Sequence, residues 1–412
     1  MLIEFKVENY LSIKDEVCIN LECASSTSNL KENYFNESKY KLLKSAVIYG
    51  ANATGKSNLL KAVWFMLAMI KNSQNHKFND KINVVPYKLD SKSMKRPTKF
   101  ELTFILNKRK YVYGFSCTKD KIIEEYLKGY SSNGSPRKFF NRKNTKDFTF
   151  TKNKPRQNRI KEETNGNQLY LSKMALQNYE ELKPIYGFLT ENMAVGTNQQ
   201  WGIYTKNKLN EDLKFRKWAL EILKKGDFGG ILDIETKIKE REVNGFEFQI
   251  GETPSVKKAD KNKEEYLDIK FVHKNEKGQK VLFEELEESI GTLRTFNMLG
   301  PIYDILTEGM IVFIDEFEIN LHPEITRFLI KLFHSKHNKK NGQIIFTTHD
   351  TTLLRAENVF RRDQIYFTEK KPNENTTFHS LMDYKLREGI DFQNAYLNGR
   401  VGGMPFVDES YI

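Results

Sequence analysis

Residues 45–60 read SAVIYGANATGKSNLL. An apolar run runs into a loop carrying Gly50, Gly55, Lys56 and Ser57, the spacing G-x-x-x-x-G-K-S. Such a loop wraps phosphates in backbone N–H groups, and its glycines permit positive φ and close approach. The helix that begins near Lys56 turns its positive dipole end toward the anion. The pattern assigns the terminal phosphates of a nucleotide to Lys56 and a Mg²⁺ ligand to Ser57. Downstream, Leu59, Leu60, Val63, Met66, Leu67 and Ile70 recur at helical spacing. The loop therefore lies between a strand and a helix, a context that a chance glycine-rich turn lacks.

A phosphate loop needs an acidic partner, and IVFIDEFE (311–318) supplies one. Asp315 ends an apolar strand and is expected to hold Mg²⁺; Glu316 is expected to position or deprotonate the attacking water. Two solvated acids at a strand end would look the same in isolation. In EESIGTLRTFNML (287–299), Ser289 reads as an N-cap, and Gly291 opens a helix whose N-terminus is a second anion seat. An ordinary capped helix is the plain alternative. One protomer cannot easily close both seats on one phosphate, whereas two facing head to tail can. QIIFTTHDTTLL (343–354) ends a buried strand at His349, where an imidazole can sense the γ-phosphate.

The chain of 412 residues suits one large α/β domain with insertions or two modest domains. No 18-residue apolar run suggests a membrane span, and MLIEFKVENYLSIKDEV does not read as a signal peptide. Cys18, Cys23 and Cys117 are too few for a disulfide framework, so a cytoplasmic setting is expected. The net charge of +12 admits a nucleic acid partner, although it equally fits a Lys/Asn-rich composition. Residues 137–161 carry ten basic residues against one acid. Phe139, Phe140, Phe148 and Phe150 interleave with these charges; they could stack on bases or pack a strand.

Two strands are expected within 1–21 and a β meander over 84–130. LYLS reads as a strand ending at Ser172. Residues 172–242 look mainly helical, with Leu213, Trp218 and Ile222 on one side of a helix, and TPSVKKADKNKEE (253–265) looks like a polar connector. The last third alternates strands and helices. The expected division is 1–172, an N-terminal lobe with the phosphate loop and a β insertion; 173–265, a mainly helical insertion; and 266–412, a C-terminal lobe. GRVGG (399–403) reads as a tight turn docked against that lobe.

Together these pieces resemble an ABC-type ATPase head of the branch that includes SMC proteins, RecF and the OLD proteins. Gly50–Ser57 looks like Walker A, with Asn52 and Asn58 as in that branch's GxNxxGKSN form. Glu288–Gly291 looks like the signature, although only Ser289 and Gly291 agree with LSGGQ. Ile311–Glu316 looks like Walker B, Glu318–His322 like the D-loop and His349 like the switch histidine. No Q-loop glutamine can be placed; Gln168 and Gln177 lie near where one is sought. FKVENYLSIKDEV, PYKLD (86–90), NQLYLS (167–172), DEFEINLHP (315–323) and AYLNGRVGGMPF (395–406) also look like the RloA/AbiL-type ATPases, with PARIS-type ATPases similar in outline.

The resemblance implies an ATP hydrolase that forms a homodimer or higher oligomer through ATP-bound heads. It implies a switch in anti-phage defence that controls a separately encoded effector, often a Toprim-like nuclease. The residues after His349 show no D-x-D pair for a catalytic metal, so nuclease chemistry is expected in trans. A RecF-like DNA-binding ATPase is the alternative, motivated by the charge. Among further readings, a scaffold with structural ATP has no evident need for Glu316.

Overall fold

The computed structural model describes residues 1–25, 30–131, 134–196, 201–226, 228, 230–249, 255–355, 359–386 and 390–404, and of 241–249 and 255–264 the backbone alone. The chain forms two compact units. The first comprises 1–197, 304–319 and 323–412; the second comprises 198–303 and 320–322. This division departs from the expected boundaries at 172 and 265.

The first unit is a mixed α/β body built on two sheets. Its six-stranded sheet runs in the order 193–196, 311–314, 343–347, 45–50, 365–370, 376–380. The first five strands are parallel and the last is antiparallel. The central strand Ser45–Gly50 is buried throughout, which is why SAVIY carries no polar alternation. The second sheet has seven antiparallel strands in the order 147–150, 136–143, 122–130, 109–117, 98–106, 2–8, 17–20. It contains the expected N-terminal pair and the meander. Helix Lys56–Asn72 buries Leu59, Leu60, Val63, Met66 and Ile70 in one core with Phe5, Phe100 and Phe115 of that sheet.

One expectation fails in this unit. LYLS is not a strand, because Tyr170–Leu176 is a helix. The Glu125 carboxylate accepts the N–H groups of Tyr170 at 2.6 Å and Leu171 at 2.9 Å, caps that helix and pairs with buried Arg142. The basic stretch forms strands Pro136–Lys143 and Asp147–Phe150 and helix Lys154–Glu162.

The second unit has helices Trp201–Glu211 and Leu213–Lys225, then a long antiparallel hairpin, Asp233–Gln249 with Ser255–Lys274. Strand Lys280–Glu284 pairs with the base of that hairpin. The mainly helical reading of 173–265 therefore holds only as far as Lys225, and the expected polar connector at 253–265 is largely strand. In helix Leu213–Lys225 the buried face is Phe215, Ala219, Ile222 and Leu223. Leu213 is exposed, while Trp218 packs against Phe215 and Tyr303.

The three cysteines are free. No helix among the described residues is long and apolar enough to cross a membrane.

Candidate nucleotide site

The parallel order puts the ends of strands 45–50, 311–314 and 343–347 along one edge of the sheet. Ligands of open α/β sheets bind outside the carboxyl ends of the strands. Three sequence-predicted elements meet there: the glycine loop, the acidic pair and His349.

The loop is held rigidly from below. Thr54 Oγ1 donates to the Ala51 carbonyl at 2.8 Å and lies 2.6 Å from Thr368 Oγ1. Thr376 Oγ1 donates to the Thr54 carbonyl at 2.7 Å and lies 2.7 Å from Ser12 Oγ. Asn58 Nδ2 donates to the same serine oxygen at 2.7 Å. Both motif glycines are demanded by geometry. A Cβ on Gly50 would come 2.1 Å from Thr368 Oγ1, and one on Gly55 would come 2.3 Å from Thr376 Oγ1. Gly55 also has φ +108, which side chains disfavour.

Lys56 is buried and curls back over the loop, its ammonium donating to the carbonyls of Gly50 at 2.7 Å and Ala51 at 3.0 Å. Burial pulls its pKa below the ordinary value, and the charges of Asp315, Glu316 and Glu318 oppose that shift. At the helix start Asn58 and Leu59 direct their N–H groups to the Gly55 carbonyl. No side chain caps this end. The N–H groups of Lys56 and Ser57 precede that ladder and await an acceptor from outside.

Asp315 and Glu316 share one partner. Thr347 Oγ1 donates to Asp315 Oδ1 at 2.6 Å and accepts the Glu316 N–H at 2.8 Å. Glu316 sits at φ +49, an uncommon conformation for a side-chain residue, and Phe317 N–H fixes it further by donating to the Thr347 carbonyl. The His349 N–H donates to Glu318 Oε1 at 2.5 Å. Burial and the Lys56 charge push the His349 pKa down, while Glu318, Glu316 and Asp315 raise it. The net shift is downward, favouring a neutral imidazole. Lys56, Asp315, Glu316, Glu318 and His349 thus form one electrostatic cluster.

Several members of this arrangement escaped the sequence reading. Glu318 was read only as the start of a D-loop, and Thr347, Thr368, Thr376 and Ser12 carried no signal, being common polar residues distant in sequence. The TT before His349 is the one cue that could have pointed to Thr347.

Asn52 is exposed on the loop. Ser289 and Gly291 belong to the second unit, where Ser289 Oγ accepts the Thr292 N–H at 3.0 Å and caps helix Ile290–Glu308. Gln168 is buried and ties Asn165, Gln74 and His76 together, a structural role. Gln177 closes the helix Tyr170–Leu176. Phe140 is buried and packs with Phe148 and Phe150 around Tyr170. Those rings pack rather than stand free for bases. Of the basic residues, Arg142 is buried, Arg137 pairs with Glu181, and Arg156 donates to the carbonyls of Gln177 and Asn178.

The donor set fits a nucleotide polyphosphate. It offers free helix-start N–H groups, a buried ammonium and a loop that the glycines allow to close. Ser57 and Asp315 fit a divalent ion that also takes phosphate oxygens. Among the described residues no group of three His, Cys, Asp or Glu forms a self-sufficient metal centre. Glu318 Oε2 and Asp350 Oδ2 are buried without a hydrogen-bond partner, so this edge holds acceptors that the chain leaves unmet.

The family described as "AAA domain, putative AbiEii toxin, Type IV TA system" matches residues 45–355, a span holding the glycine loop, the acidic pair and His349. Among solved structures, the SMC head domain from Thermotoga maritima is similar at 12% identity, covering 92% of this chain and 98% of that one, with a TM-score of 0.43. An SMC head bound to the C-terminal winged-helix domain of ScpA is similar at 12% identity, covering 93% and 98%, with a TM-score of 0.44. No curated protein matches the chain.

Proposed function

The chain belongs to this family of AAA-domain proteins, and from that premise we propose that it is an ATP-hydrolysing switch of ABC type. ATP joins two heads, and the closed pair controls a separately encoded effector, a nuclease of Toprim-like chemistry, in anti-phage defence. The observation that carries the reading is the cluster of Lys56, Asp315, Glu316, Glu318 and His349 around a glycine loop. The toxin system named in the family description supports the defence setting.

In this reading Lys56 and the Gly50–Gly55 backbone bind the phosphates, with Asn52 and Asn58 flanking them. Glu316 takes the proton of the attacking water, and neutral His349 donates a hydrogen bond toward the γ-phosphate. Ser289 and Gly291 close the site of the opposite protomer. Ser57 and Asp315 would hold Mg²⁺, which would offset the negative charge of the phosphates.

Thr347 sets the aim of both acids. Thr347→Val keeps the shape but leaves the Asp315 oxygen and the Glu316 N–H without their partner, a loss of about 1–3 kcal/mol per buried group. The expected result is a kcat lowered about tenfold or more with KM for ATP little changed, and recovery in Thr347→Ser. Phosphate-release kinetics check it.

The defence assignment is tested by phage plating. Bacteria carrying the gene with its neighbours should restrict plating, and Lys56→Ala should abolish the restriction. Equal plating would remove the defence assignment while leaving the ATPase one.

A RecF-like DNA-binding role draws on the exposed Lys138, Lys143, Lys146, Lys152 and Lys154 of the basic stretch. It requires DNA binding that falls steeply with salt and strengthens with ATP.

A further inference from the structure

GRVGG (399–403) takes no part in the roles above, yet it lies against the phosphate loop. A Cβ on Gly403 would sit 3.2 Å from Gly50 Cα and 3.1 Å from the Thr368 carbonyl oxygen. The two backbones are therefore in contact. Gly403 has φ +86, and its N–H donates to Glu369 Oε1 at 2.8 Å. Its carbonyl accepts from Tyr396 Oη at 3.0 Å, and the Gly402 N–H donates to Tyr384 Oη at 3.1 Å. The Tyr396 ring stacks on Phe367 with centroids 5.5 Å apart and lies 5.9 Å from Tyr49, the residue before Gly50. Tyr49 Oη in turn donates to the Asp350 carbonyl at 3.1 Å, next to His349.

We propose that Phe392–Met404 is a clasp that holds the first glycine of the loop in its phosphate-binding shape, with Gly403, Tyr396 and Glu369 as positioning residues. The inference rests on the reading of the loop as a nucleotide site. Gly50 is confined by Thr368, which also fixes Thr54, and by the Gly403 backbone. A loop confined in this way is preorganised, so phosphate binding carries little ordering cost. With the clasp loosened, only a fraction of molecules holds the competent loop, and apparent affinity falls by that fraction. Asp315 and the Glu316 backbone are held by Thr347, not by a clasp residue, so turnover at saturation should be unaffected.

The test measures affinity for a fluorescent ATP analogue, KM and kcat for ATP, and melting temperature in the full chain. Glu369→Ala removes the acceptor of the Gly403 N–H, and Gly403→Val strains the φ and crowds Gly50. Both should weaken binding about tenfold, the scale of one charge-assisted hydrogen bond, with kcat within about twofold of wild type. Glu369→Gln, which keeps an oxygen acceptor, should restore affinity. Wild-type affinity in both variants would overturn the clasp. So would a loss of kcat, KM and melting temperature together, which marks a merely structural contact. Failure of the wild type itself to bind would instead overturn the nucleotide reading.

Discussion

Lys56→Ala abolishes ATP binding. The ammonium is buried, and the loop carbonyls of Gly50 and Ala51 hold it in place. It is the cation of the cluster that faces Asp315, Glu316 and Glu318. Bound phosphates take it over as a charge-assisted donor, an interaction worth about 1.5–3 kcal/mol per bond in a desolvated site. Without it three carboxylates remain beside the phosphates with no opposing lysine. The expected loss is about two orders of magnitude or more in affinity. Calorimetric titration checks it, with a parallel melting curve to show that the variant is folded. Retained affinity would remove Lys56 from the site.

Glu316→Gln separates binding from chemistry. The amide preserves the shape of the side chain, the N–H bond to Thr347 and the positive φ, so binding should stay within about threefold of wild type. It cannot take a proton from water, and turnover should fall by about 10²–10⁴-fold, the usual contribution of a positioned base. Nucleotide-joined heads should then accumulate, because the step that parts them is blocked. Hydrolysis at the wild-type rate would show that the base lies elsewhere, with Glu318 the next carboxylate in the cluster.

Local signals explain what was legible in the sequence. The strand, glycine loop and helix of 45–72 are contiguous, and each has its own pattern: an unbroken apolar run, fixed glycine spacing and helical periodicity. Strands 311–314 and 343–347 were equally plain, because a parallel strand covered on both faces reads as an apolar block ending at its functional residue. The supports of the site were not legible. Ser12, Thr54, Thr368 and Thr376 meet across more than 300 positions, and no local pattern announces such a contact.

YLDIKFV (266–272) reads as a strand, but the rest of the hairpin 233–274 was missed for a different reason. Only its base has a third strand, and over most of its length KKADKNKEE and its partner show no apolar alternation. LYLS is a short apolar run that fits strand or helix alike. The buried Glu125 carboxylate, 45 residues upstream of Tyr170, settles it by capping the first turn.

The central claim is that ATP joins two copies of this chain. Mass in solution, measured for wild type and Glu316→Gln with and without ATP and Mg²⁺, tests it most directly. The account predicts a nucleotide-dependent shift to a dimer or larger assembly, strongest in Glu316→Gln and absent in Lys56→Ala. An assembly whose mass ignores ATP in all three proteins would contradict it and would confine the action of the nucleotide to a change of shape within a standing complex.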